Sequence, residues 1–311
     1  MSAPSGEEFG FAPDDDAPIP YMARTRDYYA AIGYTTPYRW AHYTSAPFQP
    51  LRKPLEISRI TIITTAAPFD PQKGDQGPGA KYNAGAKFYS VYDGDTSKPH
   101  DLRISHIAYD RVHTSAEDSG TWFPLAQLQR LARQGRIGEV APRFFGAPTN
   151  RSHRITIETD APEILERCSE DQVDAAVLVP NCPVCHQTIS VIARHLESNG
   201  IATVVTGCAK DIVEHAAVPR FLFSDFPLGN SAGKPHDVAS QAFTLELALR
   251  VLEAAPSAQT SVQSPLRWSS DAAWKRDYNN ILALSADELA RRRREFDAQK
   301  EIARSLRESA A

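Results

Sequence analysis

Residues 179–188 read VPNCPVCHQT, and the residue types and spacing in CPVCH fit three chemistries. C-x-x-C-H is the attachment sequence of c-type haem, C-x-x-C alone is a dithiol redox pair, and the same two cysteines can supply half of a zinc site. Covalent haem belongs to exported proteins and needs a distal ligand. The N-terminus, MSAPSGEEFGFAPDDDAPIP, is acidic and lacks the basic and apolar regions of a secretory leader, and it is not an Arg-rich transit peptide. Met1 and Met22 are the only methionines, so a distal ligand would have to be a histidine. The haem reading is therefore set aside and a cytoplasmic location expected, where reducing conditions disfavour structural disulfides.

The remaining readings turn on where the cysteines sit. DAAVLVPN (174–181) is a short apolar run of the kind that forms a strand buried on both faces, and HQTISVIARHLESNG (186–200) has helical periodicity with a closing glycine. Cys182 then lies at the carboxyl end of a strand, Cys185 at the turn into a helix, and His186 and Thr188 in its first turn. Free N–H groups at a helix start stabilise an anion, so a thiolate there is favoured and reactive near neutral pH. Cys182 is expected to attack and Cys185 to resolve the adduct as a disulfide, which an external dithiol of the thioredoxin type would reduce. His186 either stabilises the thiolate or faces solvent, and Thr188 either caps the helix or donates to a bound anion. Zinc is the competing cofactor, held by Cys182 and Cys185 with Cys208 or His106. No second C-x-x-C and no H-x3-5-H completes a structural site. Cys168, in PEILERCSE, reads as a passive thiol.

The flanking elements extend this pattern. ISRITIITTAAP (57–68) reads as another buried strand. The long stretch 68–120 has little periodicity but carries Asp70, Asp75, Asp95, His106, Asp110 and His113, and connections of that length are often functional. His106 and Asp110 form a candidate acid/base or substrate-orienting pair; the equal alternative is a loop histidine satisfied locally. FPLAQLQRLARQG (123–135) predicts a helix and IGEVAPRFFG an extended segment. In the second half APEILERCSEDQV, AKDIVEHAA and KPHDVASQAFTLELALRVLEAAP predict helices, with strands at IATVVTG and PRFLFSD (219–225). Alternation of this kind predicts an α/β fold, doubly wound, with a mostly parallel sheet and helices on both faces, arranged as one body or two similar lobes. Boundaries are expected at 1–56 (an irregular N-terminal arm), 57–150 (a first lobe with the long loop), 151–256 (a second lobe with the C-x-x-C turn) and 257–311 (a C-terminal helical extension). Cys208, Asp225 and Asn230 fall at or after other strand ends, so they join Asp70, Asp75, His106, Asp110 and Thr188 as candidate substrate contacts on one rim.

The aromatic run RDYYAAIGYTTPYRWAHYTSAPF is expected to pack on the body or on a second subunit. A polar linker is expected near 256–265, and Ser285 with Glu288 predicts a capping box at the start of the last helix. The net charge of −4 argues against a nucleic-acid partner, so Arg291–Arg294 reads as a solvated face. No apolar run is long enough for a membrane span.

Taken together, DAAVLVPNCPVCHQTISVIARHLESNGIATVV resembles the substrate-reducing subunits of the glycine, sarcosine, betaine and D-proline reductase family. TTAAPFDPQKGD, DLRISHIAYD and FPLAQLQRLARQGRIGEVAP look like the N-terminal half of its cysteine-containing relatives. The resemblance covers about residues 57 to 255. It implies that Cys182 stands where selenoprotein members place selenocysteine, and that Cys185 matches the following cysteine. It further implies a reductase that cleaves a C–N or C–S bond in a small amino-acid-like or heterocyclic substrate, within a complex or a homo-oligomer. A thiolate is a weaker nucleophile than a selenolate, so an activated target such as a thiocarbonyl suits this chain. The alternatives are a thiol- or zinc-dependent desulfurase or hydrolase, and a non-catalytic subunit of a reductase complex.

Overall fold

A computed structural model describes residues 16–149 and 152–309; most of the Pro- and Asp-rich N-terminal tail lies outside the described residues. The chain enters through helix α1 (Tyr21–Ala31), then strands β1 (Arg59–Thr64), β2 (Ala67–Pro68), β3 (Tyr92–Asp95) and β4 (Leu102–Arg103). Helix α2 (Leu125–Arg133) and strands β5 (Glu139–Val140) and β6 (Arg143–Gly146) follow. Helix α3 (His153–Ile155) runs through a π-helical turn, Thr156–Asp160, into α4 (Ala161–Glu170). The rest alternates: β7 (Ala175–Val179), α5 (Pro183–Ser198), β8 (Ala202–Gly207), α6 (Lys210–His215), β9 (Arg220–Phe223), α7 (Val238–Ala254), β10 (Thr260–Gln263) and finally α8 (Ala286–Ser309).

The main sheet runs in the order β10-β9-β8-β7-β1-β6-β3, with β5 also beside β1. Every pairing in it is parallel except that of β3 with β6, which closes one edge. This is the expected α/β architecture. The β-branched run of β1 and the AAVLV of β7 are buried almost throughout because helices cover both faces. On one face Ile60, Ile62, Val177 and Val204 meet α2 and α7 through Leu128, Leu245 and Leu249. On the other, Ile63, Leu178 and Val205 meet α4 and α5 through Ile164, Ile189 and Ile192. Each such aliphatic side chain contributes roughly 1.5–3 kcal/mol by burial.

The stretches 57–150 and 151–256 share this one sheet, because β1 pairs with β6 on one side and with β7 on the other. From β1 the chain moves to β6, then crosses back to β7 and continues outward through β8 to β10. The strand order therefore reverses between β1 and β7, where loops leave for opposite faces and a crevice opens.

Three elements depart from expectation. The aromatic arm contains α1, whose first residue has no side-chain cap and of which only Tyr21 and Thr25 are buried. The polar stretch 256–265 contains β10, paired with β9 from Thr260↔Arg220 to Gln263↔Phe223; an edge strand half open to water carries no apolar run. Residues 92–95, YDGD, form β3 despite poor strand propensity, because β6 offers an edge and Gly94 lets the Phe144 ring approach. The capping residue of α8 is as expected, with the Glu288 N–H donating to Ser285 Oγ at 3.2 Å.

Candidate active site at the carboxyl ends of β1 and β7

The sequence PNCPVC turns the chain from β7 into α5, and each residue type has a part in the turn. Cys182 is extended (φ −129°, ψ 172°) and is the N-cap, Pro183 takes the first helical position, and the Cys185 N–H donates to Cys182 Sγ at 3.3 Å. The Asn181 N–H donates to Thr65 Oγ1, just past β1, at 3.1 Å, which ties the turn to the crevice. The two sulfurs lie 2.8 Å apart. Thr149, past β6, donates its hydroxyl to Cys185 Sγ at 3.4 Å.

His106 completes the cluster. One of its ring nitrogens and the sulfurs of Cys182 and Cys185 all lie within 4.8 Å of one another, and all three side chains are buried. Neither ring nitrogen of His106 has a hydrogen-bond partner of good geometry, and neither does the side-chain amide of Asn181, which is wholly buried beside Cys182. Buried polar atoms without partners are uncommon, and of these two groups the His106 ring is the one within reach of both sulfurs.

A cavity of about 30 Å³ lies over Cys182, walled by Thr25 and Tyr29 of α1, Tyr82, Lys87, His106 and Val184. That is room for one water molecule. Cys182 lines the cavity, whereas Cys185 is fully buried behind it.

Electrostatics divide the pair. Burial pushes the Cys182 thiol well up, and the neighbouring Cys185 sulfur pushes it further. Burial acts on Cys185 too, but the Cys182 S–H, the His106 ring and the Thr149 hydroxyl outweigh it and hold Cys185 well below the ordinary thiol range. The pair therefore loses one proton easily and the second with difficulty. The negative charge therefore rests on Cys185, in hydrogen-bond contact with the protonated, cavity-facing Cys182. The other two cysteines differ in kind: burial pushes Cys168 up strongly and Cys208 to about 12.

His186 is not beside the sulfurs as a cation. Its Nδ1 lies 2.8 Å from the Cys182 carbonyl and its Nε2 accepts the Cys208 N–H at 2.9 Å, so the ring is neutral, and burial lowers its pKa to about 4. It staples the start of α5 to the end of β8, and Gly207 is glycine because a Cβ there would stand 2.8 Å from the His186 ring.

The remaining candidates are dispersed. Asp110 turns to His113, 3.1 Å away, rather than to His106, and accepts the N–H groups of Val112 and His113; a carboxylate three residues before its partner closes a tight turn. Asp70 caps the turn Pro71–Lys73. Asp75 accepts the Gly77 N–H and borders a separate small cavity with Arg111. Thr188 is buried within α5, away from the cavity wall. Cys208 Sγ faces Ser231 Oγ at 3.8 Å, Asp225 pairs with Lys275, and Asn230 binds Thr114 and the Pro227 carbonyl. Asn181, Thr149, Lys87 and Tyr29 form part of the site without any motif to announce them; only Asn181 has a sequence cue, its place next to the cysteine pair.

Fold and site define a class: an α/β protein with a buried strand-end dithiol at the switch point of its main sheet. Within that class the chain is 28% identical, over 223 residues, to the D-proline reductase subunit gamma of Acetoanaerobium sticklandii, covering 70% of this chain and 88% of that one. It is 25% identical over 217 residues to the glycine reductase complex component B subunit gamma of Symbiobacterium thermophilum, and 23% over 221 residues to that of Peptoclostridium acidaminophilum. The chain spans about half the length of these glycine reductase relatives, 48% of each. No family model and no solved structure matches. The chain is a homologue of the gamma subunits of D-proline reductase and of glycine reductase component B.

Proposed function

We propose that this protein is a thiol-dependent reductase acting on a small molecule, alone or as a subunit of a reductase complex. The observation that carries the reading is the sulfur pair under the start of α5, 2.8 Å apart, with one sulfur facing a cavity and the His106 ring beside it. The similarity to reductase subunits supports it.

The chemistry balances as follows. Cys182 passes its proton to the Cys185 thiolate as its sulfur attacks the electrophilic carbon of a substrate R–X, forming Cys182–S–R and expelling X⁻, which takes that proton from Cys185 by way of His106 or water and leaves Cys185 a thiolate again. The Cys185 thiolate then attacks the Cys182 sulfur. The S–R bond breaks, R leaves with the electron pair and is protonated to R–H, and a Cys182–Cys185 disulfide remains. R must carry a carbonyl or comparable electron sink to leave this way. Two electrons have moved from the dithiol to the substrate, and an external dithiol restores the pair. Lys87 and Arg111 both lie near enough to favour negative charge on Cys182.

Alkylation with iodoacetamide near neutral pH, followed by peptide mapping, tests the reading. Cys182 is expected to label first and Cys168 and Cys208 last. In Cys185→Ser, which lacks the resolving sulfur, a covalent adduct with substrate should accumulate on Cys182. Uniform labelling of all four cysteines would remove the basis for the proposal and favour a non-catalytic subunit.

A second reading is favoured by the same triad. Two sulfurs and one imidazole are a ligand set for catalytic zinc, with the small cavity at the fourth position for a water, as a desulfurase or hydrolase would need. About one zinc per purified chain, lost on replacing both cysteines, would decide for it, since zinc holding both sulfurs blocks disulfide formation.

A further inference from the structure

Above the Cys182 cavity lies a second and larger space, a groove of about 190 Å³ between α1, the arm that follows it, α8 and the start of α5. The two share Thr25, Tyr29 and Val184 as a common wall. The groove is a box of rings. Tyr29 and Tyr34 both meet Phe296 edge to face, with centroids 5.3 Å and 5.0 Å away, and Tyr38 meets Trp40 at 4.6 Å. Arg26 and Lys300 also line it, and among the described residues no carboxylate does. Two nearby acids hold groove-lining groups, Asp27 the Arg26 guanidinium and Asp297 the Tyr34 hydroxyl together with Arg293, so Lys300, its ammonium 4.9 Å over the Tyr34 ring, is the cation presented to the groove.

Aromatic walls select a flat ring, by stacking and edge contacts worth about 0.5–1.5 kcal/mol each beyond burial. The Lys300 ammonium at the rim favours an anion. The 30 Å³ beside Cys182 holds only a few atoms, so the body of any substrate must lie elsewhere. We infer that this groove binds the body of the substrate, and that the substrate is a flat aromatic or heteroaromatic carboxylate whose susceptible bond reaches Cys182 past Tyr29 and Val184. This assignment rests on the reading of Cys182 as the nucleophile. A flat, conjugated ring would also supply the electron sink which that mechanism requires.

The probe pair 2-naphthoate and 2-naphthamide, equal in shape and different in charge, tests the groove on the full-length protein. Binding is read by quenching of tryptophan fluorescence and by slowed iodoacetamide labelling of Cys182. The carboxylate is expected to bind about tenfold tighter than the amide, the size of one charge-assisted contact. Lys300→Ala should erase most of that difference while leaving the amide unaffected, and Tyr38→Ala should weaken both. Equal binding of the two probes, or a carboxylate preference that survives Lys300→Ala combined with Arg26→Ala, would overturn the inference. Cys182→Ser separates this from the chemistry. If that variant binds 2-naphthoate normally, failure to find a Cys182 adduct counts against the reductase reading alone. If it shows no charge preference while Cys182 in the native chain is selectively reactive, the groove assignment alone fails.

Discussion

His186 is fixed as the tautomer with its proton on Nδ1, because Nε2 accepts the Cys208 N–H; a second proton would point at a donor already in place. Burial lowers its pKa to about 4, against an ordinary 6.5. Below about pH 6.5 the unfolded chain takes up a proton that the native ring refuses, so stability is complete above that pH and declines as the pH falls toward about 4. At 1.36 kcal/mol per tenfold, as much as about 3 kcal/mol is lost over this window. Urea midpoints at about pH 7.5 and about pH 5 should fall further for the native protein than for His186→Asn; parallel falls would assign the linkage to other groups. At this scale CPVCH was half legible. The order of nucleophile and resolver stays a proposal: Cys182 faces the cavity, but the resting charge lies on Cys185. His186 did not show its task, because a histidine beside a thiol reads as a charge partner until the backbone groups around it are placed. His106 lies seventy-six positions upstream of Cys182, and only the fold brings the two together.

Among the elements, α5 is anchored at both ends, by His186 at its start and by Glu197 near its end. Glu197 and Arg220 are both buried, 2.6 Å apart; Glu197 accepts the Thr203 N–H and hydroxyl and the Gln49 N–H, while Arg220 donates to the Gln49 carbonyl at 2.8 Å. Burial pushes Glu197 up and Arg220 down, so their attraction does not fully offset the loss of water. Such a pair specifies geometry, here the path of the arm over β8 and β9, more than it adds net stability. Arg220→Met alone, which strands the buried carboxylate, should cost about 3–5 kcal/mol in chemical denaturation, and adding Glu197→Leu should recover part of it. A loss below about 1 kcal/mol for the single variant would show the pair to be dispensable. Strands β1, β7, β8 and β9 were legible because each is a continuous apolar run buried on both faces, and helices α2, α4, α5 and α7 because each buries an apolar face at helical spacing. The helix α1 and the strands β3 and β10 were not, since partners far along the chain define them: Asp211 accepts the Met22 N–H of α1, β6 carries β3, and β9 carries β10.

For the whole molecule, the site is built by the sheet and closed by the chain's two outer segments. Helix α8 buries little apolar surface and is held by specific contacts: Arg293 donates to the Ile32 carbonyl at 2.9 Å, Gln299 accepts the Ala84 N–H at 2.9 Å, and Phe296 packs on Tyr29 and Tyr34. Its arginines pair largely within the helix, as with Arg291 and Glu288 or Glu295, which suits the expected solvated face. The charge pattern of α8 was legible in the sequence; its docking across α1 and the 84–86 turn was not, because a helix with so polar a composition carries no stripe naming its partner. Since α1 supplies Thr25 and Tyr29 above Cys182, and α8 pins α1 in place, opening of this clasp should limit access to the sulfur. Arg293→Ala with Gln299→Ala removes two hydrogen bonds worth about 1 kcal/mol each, which should raise the open population, and with it the alkylation rate of Cys182, about tenfold or more. Cys168 and Cys208, buried in separate clusters, serve as internal controls whose rates should stay unchanged. A Cys182 rate equal to that of the native chain would show that access does not run through the clasp, and an equal rise at all three cysteines would mean that the variant had loosened the whole fold.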